Sequence, residues 1–242
     1  MTANFLGQPP VILASASPQR REVLLELGIA YDVIRPDAEE VTFPDPVSTV
    51  LENARRKLNK GLAMCGTDRL VIAADTVLYH RGQVSGKPVS QQKALDMLLT
   101  YSGKTIEVFT GVAVGRSSIP MASAAVERAT VEFVAFGEAE ARWYVSTGEP
   151  LERAGALGIS LIGEVFIRRV TGSLSCVAGL PKRTLLWLLR DFPPVGTSES
   201  RIIPAPKEDF LACDVVKHER FQIDQADCAC GRKGQNVHNK VS

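Results

Sequence analysis

The chain has 242 residues, of which 45% are hydrophobic and 6% aromatic, as expected for a globular protein with one large domain or a domain and an appendage. Its formal net charge of +1 argues against nucleic acid or an anionic membrane as a partner. No apolar run approaches the ~18 residues of a membrane span, and the amino terminus lacks the pattern of a secretory signal. The odd cysteine count favours a reducing compartment, by default the cytoplasm; the cysteines are Cys65, Cys176, Cys213, Cys228 and Cys230.

The first predicted strand, residues 11–14, leads into a turn that is rich in phosphate-binding residue types. Pro18 suits the first turn of a following helix, and Ser17 suits its N-cap. Free backbone N–H groups and the helix dipole favour an anion at such a turn, and arginine adds bidentate phosphate geometry. The alternative is an ordinary N-cap with two solvated arginines. The candidate residues of this turn are Ser15, Ser17, Arg20 and Arg21.

A second strand is predicted at residues 31–34, followed by an acidic loop at residues 36–41 that we expect to be solvated surface. A helix is predicted from about residue 48 to residue 64. Asn53 and Lys57 lie four residues apart and therefore on one face of this helix. The spacing leaves open whether that face is solvated or projects Lys57 into a cleft.

Residues 71–78 form the most informative stretch, because a run of apolar residues leads directly to Asp75. The pattern predicts a buried strand at residues 70–75 that ends in an acid, with residues 77–79 expected to continue as a strand. Ligands gather outside the carboxyl ends of strands in open α/β sheets. The turn at residues 85–88 returns a cation, Lys87, towards the same place. An acid that holds a metal or activates water, beside a lysine, suits a phosphate-bearing substrate. A capping aspartate and a surface lysine remain the alternative.

The remaining elements alternate between helices and strands until residue 192. Glycines are frequent in residues 148–163, which suggests that backbone there lies close to a ligand or to other chain segments. The predicted elements are a helix at 90–100, a long strand at 105–114, its antiparallel partner at 121–136, a helix at 137–146, a strand at 165–167 and a last helix at 181–191.

The composition changes after Phe192. Residues 193–200 read as a linker, and residues 197–242 have little apolar periodicity, so we expect them to be disordered or loosely ordered. The sequence thus divides into a globular domain, residues 1–192, and an extension, residues 193–242. A zinc site in the extension is disfavoured because its cysteines and histidines do not form a C-x-x-C pair or a regular ligand set: Cys213, His218, Cys228, Cys230 and His238.

Taken in order, these segments resemble the Maf family of house-cleaning nucleotide pyrophosphatases, from about Val11 to Phe192. The resemblance implies a Maf/ITPase-like α/β fold, in which a mixed sheet with flanking helices forms two lobes around a central cleft. It also implies hydrolysis of nucleoside triphosphates to monophosphates and pyrophosphate with a divalent cation, Mg²⁺ or Mn²⁺, and it is compatible with a homodimer. The matching segments are Leu13-Ala14-Ser15-Ala16-Ser17-Pro18-Gln19-Arg20-Arg21, the helix with Ala54 and Lys57, Ala74-Asp75-Thr76-Val77, Gly86-Lys87-Pro88, Ser102-Gly103, Phe109-Thr110-Gly111-Val112-Ala113, Gly148-Glu149-Pro150, Ala154-Gly155-Ala156-Leu157-Gly158-Ile159 and Val177-Ala178-Gly179-Leu180-Pro181.

The resemblance assigns roles to individual residues. Asp75 matches the catalytic acid that activates or orients the water attacking the α-phosphorus, and Glu39 and Asp75 are the implied metal ligands. The charge that builds on the phosphates would be offset by cations. The phosphate-gripping turn corresponds to Ser15, Ser17 and Arg20, and the other charged positions of the cleft correspond to Glu39, Lys57 and Lys87.

Base preference is implied by three further positions, Gln19, Thr76 and Ser160. The dTTP/UTP branch of the family typically has Arg, Thr and Gln there, and the 7-methyl-GTP branch has Trp, Gln and Glu. This chain matches the first branch at Thr76 and the second branch nowhere. Arg153 stands where lysine is common in the first branch, which keeps a cation in a different geometry. We therefore expect a dTTP/UTP-like or relaxed pyrimidine preference.

Two other classes of function stay open at this stage. One is a nucleotide sensor that keeps the fold without turnover, and the other is an interaction protein that acts through its extension, for example in division control. A P-loop kinase or GTPase is disfavoured because the G-x-x-x-x-G-K-[ST] motif is absent from the sequence. A Rossmann dehydrogenase is disfavoured because G-x-G-x-x-G does not follow the first strand.

Overall fold

A mixed β-sheet of eight strands forms the framework of the protein in the computed structural model, which describes residues 9–66, 68–159, 161–192 and 215–223. The strands are β1 (Val11–Ala14), β2 (Tyr31–Ile34), β3 (Leu70–His80), β4 (Gln83–Ser85), β5 (Thr105–Arg116), β6 (Met121–Phe133), β7 (Ile167–Thr171) and β8 (Val215–Gln222). They lie in the order β2-β1-β3-β5-β6-β7, with β4 beside β3 and β8 beside β6. β1 is parallel to β2 and β3, and the other pairs are antiparallel. The predicted α/β class is confirmed.

Helices cover both faces of this sheet. They are α1 (Pro18–Glu26), α2 (Pro46–Cys65), α3 (Gln91–Tyr101), α4 (Glu138–Ser146), α5 (Leu174–Val177) and α6 (Lys182–Leu189). Three short 3₁₀ helices occupy most of the glycine-rich segment, at Glu149–Glu152, Ala154–Ala156 and Leu161–Phe166. None of the helices in the described part of the chain is long and apolar enough to cross a membrane.

Three long strands, β3, β5 and β6, extend through both lobes of the molecule, with 11, 12 and 13 residues. In the first lobe, one hydrophobic cluster packs beneath α2 and a second packs beneath α1 and α6 on the opposite face of the sheet. A third cluster joins α3 and α4 to the other ends of the same strands and forms the second lobe. The continuous strands therefore fix the position of the cleft between the lobes.

Strand β3 continues through Asp75, as expected from residues 77–79, so the acid lies in the middle of the strand and not at its carboxyl end. β3 continues to His80 and pairs with β5 from Leu70 to Tyr79. The residues after Asp75 are β-branched, aliphatic or aromatic, and such residues favour continued pairing over a turn. The aspartate therefore projects from a rigid strand, where its position is better fixed than in a loop.

Helix α2 lies unusually close to the sheet at Gly111, the register partner of Asp75. A Cβ atom at Gly111 would come within 2.5 Å of the Val50 carbonyl oxygen. Only glycine permits this approach without a shift of the helix backbone. Because Asn53 and Lys57 follow Val50 within two turns, the close approach places both side chains over Asp75.

The extension also differs from expectation, because residues 215–222 form strand β8 and pair with β6. A single strand at the edge of a sheet needs little apolar periodicity of its own, since its partner supplies the hydrogen-bonding template. The expectation of disorder is thus wrong for residues 215–223. The remaining linker and extension residues, with Cys213, Cys228, Cys230 and His238, lie outside the described residues, and the division at residue 192 stays a prediction.

Candidate active site

The two lobes enclose a cavity of about 260 Å³ that brings together most of the predicted site residues. Its walls come from the β1–α1 turn, the acidic loop, the middle of β3, the β4–α3 turn and the 3₁₀ segment. The walls combine apolar, polar and charged side chains. The charged lining residues are Arg20, Arg35, Glu40, Lys57, Asp75, Lys87, Glu152 and Arg153.

Asp75 lies at the floor of the cavity and is held by two donors from α2. Lys57 Nζ donates to Asp75 Oδ1 at 2.6 Å, and Asn53 Nδ2 donates to Asp75 Oδ2 at 3.0 Å. The Asp75 side chain is only 8% exposed. A carboxylate removed from water to this extent needs partners, and α2 supplies one for each oxygen. The carboxylate is therefore fixed in orientation, and lone pairs remain on both oxygens for a ligand or a water.

The acidic loop contributes Glu40 to the site. Glu40 Oε1 lies 2.6 Å from Lys57 Nζ, the same distance as Asp75 Oδ1, so one ammonium joins both carboxylates. Glu39 is exposed and is not among the residues that line the cavity. Glu40, and not the predicted Glu39, therefore lines the cleft.

Asn53 fixes the loop that carries Glu40. Its Oδ1 accepts from the Val41 N–H at 2.8 Å, and its Nδ2 donates to the Val41 carbonyl at 3.0 Å as well as to Asp75. One amide therefore links the acidic loop, α2 and β3. Asn53 was not predicted as a site residue, although its spacing from Lys57 placed it on the same helix face.

Arg20 is buried and connects three segments at the base of the β1–α1 turn. Its Nη1 donates to Ser15 Oγ at 2.9 Å, its Nη2 to Thr76 Oγ1 at 3.2 Å and its Nε to the Gly179 carbonyl at 2.8 Å. Burial lowers the pKa of Arg20, and the nearby charges of Asp75 and Glu40 act in the opposite direction. The guanidinium stays charged, because arginine side chains in proteins do not lose their proton near neutral pH. It therefore provides a fixed positive charge near Asp75.

The serines of the same turn have different environments. Ser15 is buried, and its Oγ accepts from Arg20 and, at 3.3 Å, from the Ser17 N–H. Ser17 is the N-cap residue of α1, as predicted, but its side chain forms no capping hydrogen bond. The Ser17 hydroxyl and the first N–H groups of α1 are therefore open to an anion in the cavity.

Two of the three residues expected to determine base preference lie in the cavity. Gln19 and Thr76 line the cavity, and Ser160 lies outside the described residues. Thr76 Oγ1 accepts from Arg20 and lies 3.0 Å from Thr110 Oγ1. These contacts fix the hydroxyl, so Gln19 has the more adaptable polar group of the two.

Two further cations stand on the side of the second lobe. Lys87 is exposed at the rim, where its Nζ lies 3.6 Å from Glu152 Oε2. Arg153 is largely buried, with its Nε 4.0 Å from Glu149 Oε1. Arg35, from the segment after β2, is a further cation among the lining residues. Arg35 was not predicted, because an arginine that follows a strand has no distinguishing pattern in the sequence.

The carboxylates offer a limited set of metal ligands. The described residues contain no cluster of three or more His, Cys, Asp or Glu side chains arranged to hold a metal ion. Asp75 and Glu40 nevertheless converge on one point, the Lys57 ammonium. Mg²⁺ is commonly held by one or two carboxylates together with substrate phosphates. The donor set therefore fits a cation that arrives with a phosphate ligand.

Comparison with known proteins identifies the family of this chain. A family model described as "Maf-like protein" matches residues 10–192. A protein from Anaeromyxobacter dehalogenans (strain 2CP-C), named dTTP/UTP pyrophosphatase, is 43% identical over 186 residues, which cover 75% of this chain and 93% of the relative. Proteins of the same name from Deinococcus radiodurans and Bacillus cereus (strain AH820) are 40% and 35% identical, cover 92% and 95% of their own lengths, and each match 75% of this chain. With such a match over most of its length, the chain belongs to the Maf-like protein family.

Proposed function

We propose that this protein hydrolyses nucleoside triphosphates to the monophosphate and pyrophosphate, with dTTP and UTP as its preferred substrates. The observation that carries the proposal is Asp75, which Lys57 and Asn53 fix at the floor of a cavity lined by five cationic side chains. The relatives named above supply the choice of substrate, since they are named dTTP/UTP pyrophosphatases.

The cationic walls bind the triphosphate. Arg20 and the N–H groups at the start of α1 contact phosphate oxygens from the first lobe, and Lys87 approaches from the second lobe. Positive charges fixed in a partly closed cavity stabilise the negative charge that develops during phosphoryl transfer. Arg20 is suited to this role because three hydrogen bonds hold it in place before the substrate arrives.

Asp75 orients the attacking water and accepts its proton. The water oxygen forms a bond to the α-phosphorus, the bond from that phosphorus to the bridging oxygen breaks, and pyrophosphate leaves. Lys57 keeps the Asp75 carboxylate aimed into the cavity and carries positive charge to the same place. The sites of attack and departure thus both lie beside fixed cations.

A divalent cation, Mg²⁺ or Mn²⁺, belongs to this proposal, and Asp75 and Glu40 are the residues that would hold it. When bound, it would offset charge on the phosphates. Glu39, which the family resemblance implied as a ligand, is replaced in this role by Glu40, because only Glu40 reaches the cavity.

A substrate screen tests the proposed reaction. The purified chain is incubated with the canonical ribo- and deoxyribonucleoside triphosphates in Mg²⁺ and in Mn²⁺, and both products are identified by chromatography. We expect monophosphate and pyrophosphate, with the highest kcat/KM for dTTP and UTP. Diphosphate and orthophosphate as products would contradict attack at the α-phosphorus. Binding without turnover across the whole panel would favour the sensor instead.

Substitution of the catalytic aspartate tests its assigned role. We expect Asp75→Asn to lower kcat by roughly 10²–10⁴-fold, because the amide cannot accept the proton of the attacking water. Thermal denaturation should show that the variant is folded. The control is Asp96→Asn, which changes an exposed aspartate on α3 outside the cavity. Substantial activity in the Asp75 variant would remove Asp75 from the mechanism.

A further inference from the structure

Strand β8 fills the edge of β6 between Met121 and Glu127. It lies outside the residues that the family model matches, which end at residue 192. The pairing continues past the strand, because the Ile223 N–H donates to the Pro120 carbonyl at 2.8 Å. A segment far beyond the catalytic domain in sequence is thus part of its central sheet.

The edge of β6 that receives this strand is strongly apolar. Residues 121–126 contain no charged side chain and one polar residue, Ser123, and the paired segment ends at the buried Glu127. A mostly apolar edge is a template for pairing with another strand. β8 covers it with a more polar segment that carries Lys217, Glu219 and Arg220.

The strand is attached by few buried side chains. Among residues 215–223, only Phe221 and Ile223 are buried, with exposures of 8% and 4%. Both belong to the hydrophobic cluster beneath α2. Main-chain pairing with two apolar anchors at alternate positions is the pattern of β-strand addition, in which an extended segment docks into a preformed groove. Segments with so few buried contacts open at lower free energy than the core.

The anchors of β8 contact the helix that carries the catalytic side chains. Arg55 of α2 lies over the Phe221 ring, with its Cζ 4.5 Å from the ring centroid, and its Nη1 lies 3.4 Å from Glu219 Oε1. Arg55 lies between Asn53 and Lys57 in the same helix, and those two residues hold Asp75. A change in the docking of β8 therefore acts directly on α2.

We propose that the β6 edge is a strand-acceptor groove, that residues 215–223 dock in it as a separable strand, and that docking positions α2 and hence Lys57 and Asn53 for catalysis. The catalytic half of this proposal rests on the proposed hydrolysis, whereas the docking half does not. Phe221 and Ile223 are positioning residues, since they act through α2 and lie away from the cavity.

Trp187 supplies a direct signal for docking. Its indole packs edge-to-face against the imidazole of His218 on β8, with ring centroids 4.2 Å apart. The chain has only two tryptophans, and the other, Trp143, is 52% exposed on α4. A Trp143→Phe background therefore leaves one indole that reports whether β8 is in place.

The test uses the full chain in that background, with Phe221→Ser to remove an anchor and Val216→Ser as the matched control. Val216 lies on the same strand and is 42% exposed. We expect Phe221→Ser to shift Trp187 emission to longer wavelength, to increase its quenching by acrylamide and to lower kcat about tenfold, since small displacements of catalytic groups have effects of this size or larger. KM should change less, because the phosphate-binding turn lies on α1. The control should match the parent in every readout.

Two outcomes overturn the proposal. Unchanged Trp187 emission in a folded Phe221→Ser chain would show that the anchor does not hold the strand. Changed emission with an unchanged kcat would show that the docking of β8 does not affect the catalytic side chains of α2. If the parent chain hydrolyses no nucleotide, the proposed function fails, and the emission readout still decides the docking half.

A second measurement separates positioning from general loss of stability. A synthetic peptide of residues 215–223 is added to the Phe221→Ser chain, where it competes for the groove and brings its own His218 to Trp187. We expect it to restore both the emission and kcat. Emission that does not recover would contradict a strand-acceptor groove, and recovered emission without recovered kcat would contradict the coupling. If Phe221→Ser does not fold, Ile223→Ser is tested in the same way.

Discussion

The carboxylate of Asp75 receives both of its donors from one helix face, one turn apart. This arrangement means that a rotation or shift of α2 changes both hydrogen bonds together. A catalytic carboxylate held by a rigid helix over a rigid strand loses little freedom when the substrate binds, which is a source of rate enhancement. At the residue scale, the chemistry of the site therefore depends on a small set of contacts between α2 and β3.

The two neighbouring glutamates of the acidic loop give a matched pair of variants. We expect Glu40→Gln to lower kcat/KM by about 10–100-fold, because it removes one of the two carboxylates that converge on Lys57 and would hold the cation. Glu39→Gln should leave activity close to that of the parent, since this side chain is exposed and outside the cavity. The measurement is steady-state pyrophosphate release at several Mg²⁺ concentrations. A larger loss of activity in Glu39→Gln than in Glu40→Gln would indicate that Glu39 is the metal ligand of the two.

The location of individual site residues could be predicted from the sequence only in part. Asp75, Lys57 and Arg20 line one cleft, as expected from the family resemblance. Their local patterns alone left a surface position open for each of them. Glu39 and Glu40 stand in an irregular loop, where no periodicity determines which of two adjacent side chains points inwards. The orientation comes from the contact of Val41 with Asn53, twelve residues later.

At the scale of elements, most of the predicted helices and strands up to residue 192 have close counterparts in the structure, because their apolar periodicity is strong. The strand predicted at 165–167 is displaced, because residues 165 and 166 belong to a 3₁₀ helix and β7 spans Ile167–Thr171. Two other elements, β3 and β8, are instructive for physical reasons. β3 continues through Asp75, since pairing with β5 outweighs the cost of one buried acid that has partners. β8 could not be predicted, because an edge strand takes its stability from its neighbour and from two anchors.

The contact between α2 and β5 leads to a prediction about Gly111. An added methyl group would lie 2.5 Å from the Val50 carbonyl oxygen, so Gly111→Ala must push the helix backbone away from the sheet. Overpacking of this kind costs about 1–3 kcal/mol of the free energy of unfolding. Because α2 carries Asn53 and Lys57, kcat should fall as well. Denaturant unfolding and pyrophosphate release measure the two effects.

Gly115 on the same strand provides the control for this prediction. A methyl group there would meet the side-chain carbons of Leu58, Ala122 and Ile223 at 3.2–3.5 Å, of which those of Leu58 and Ile223 can yield by small rotations. Gly115→Ala should therefore cost less stability than Gly111→Ala and should retain more of the activity. Equal losses in the two variants would contradict the close approach of the α2 backbone as the cause.

At the scale of the whole molecule, the three long strands place the cleft, and the cleft concentrates charge that the overall composition conceals. The chain as a whole has a formal net charge of +1. Its cavity is lined by five cationic and three anionic side chains, a local excess of two positive charges. These residues are spread from Arg20 to Arg153 in the sequence, so their common location depends on the folded topology and no local motif reveals it.

This concentration of charge predicts a salt dependence of substrate binding. The field of the cleft attracts a polyphosphate, and ions screen that attraction. Raising KCl from about 0.05 M to about 0.5 M shortens the screening length from roughly 14 Å to roughly 4 Å, and we expect KM to rise about three- to tenfold. The change in kcat should be smaller, because Lys57 and Asp75 are largely buried and their contact is screened less.

Lys87→Gln removes an exposed cation at the rim and should both raise KM at low salt and flatten the salt dependence of KM. Thermal denaturation at each salt concentration checks that the fold is unchanged. A KM that stays constant across this range, in a chain that remains folded and active, would show that the cationic walls do not draw in the substrate.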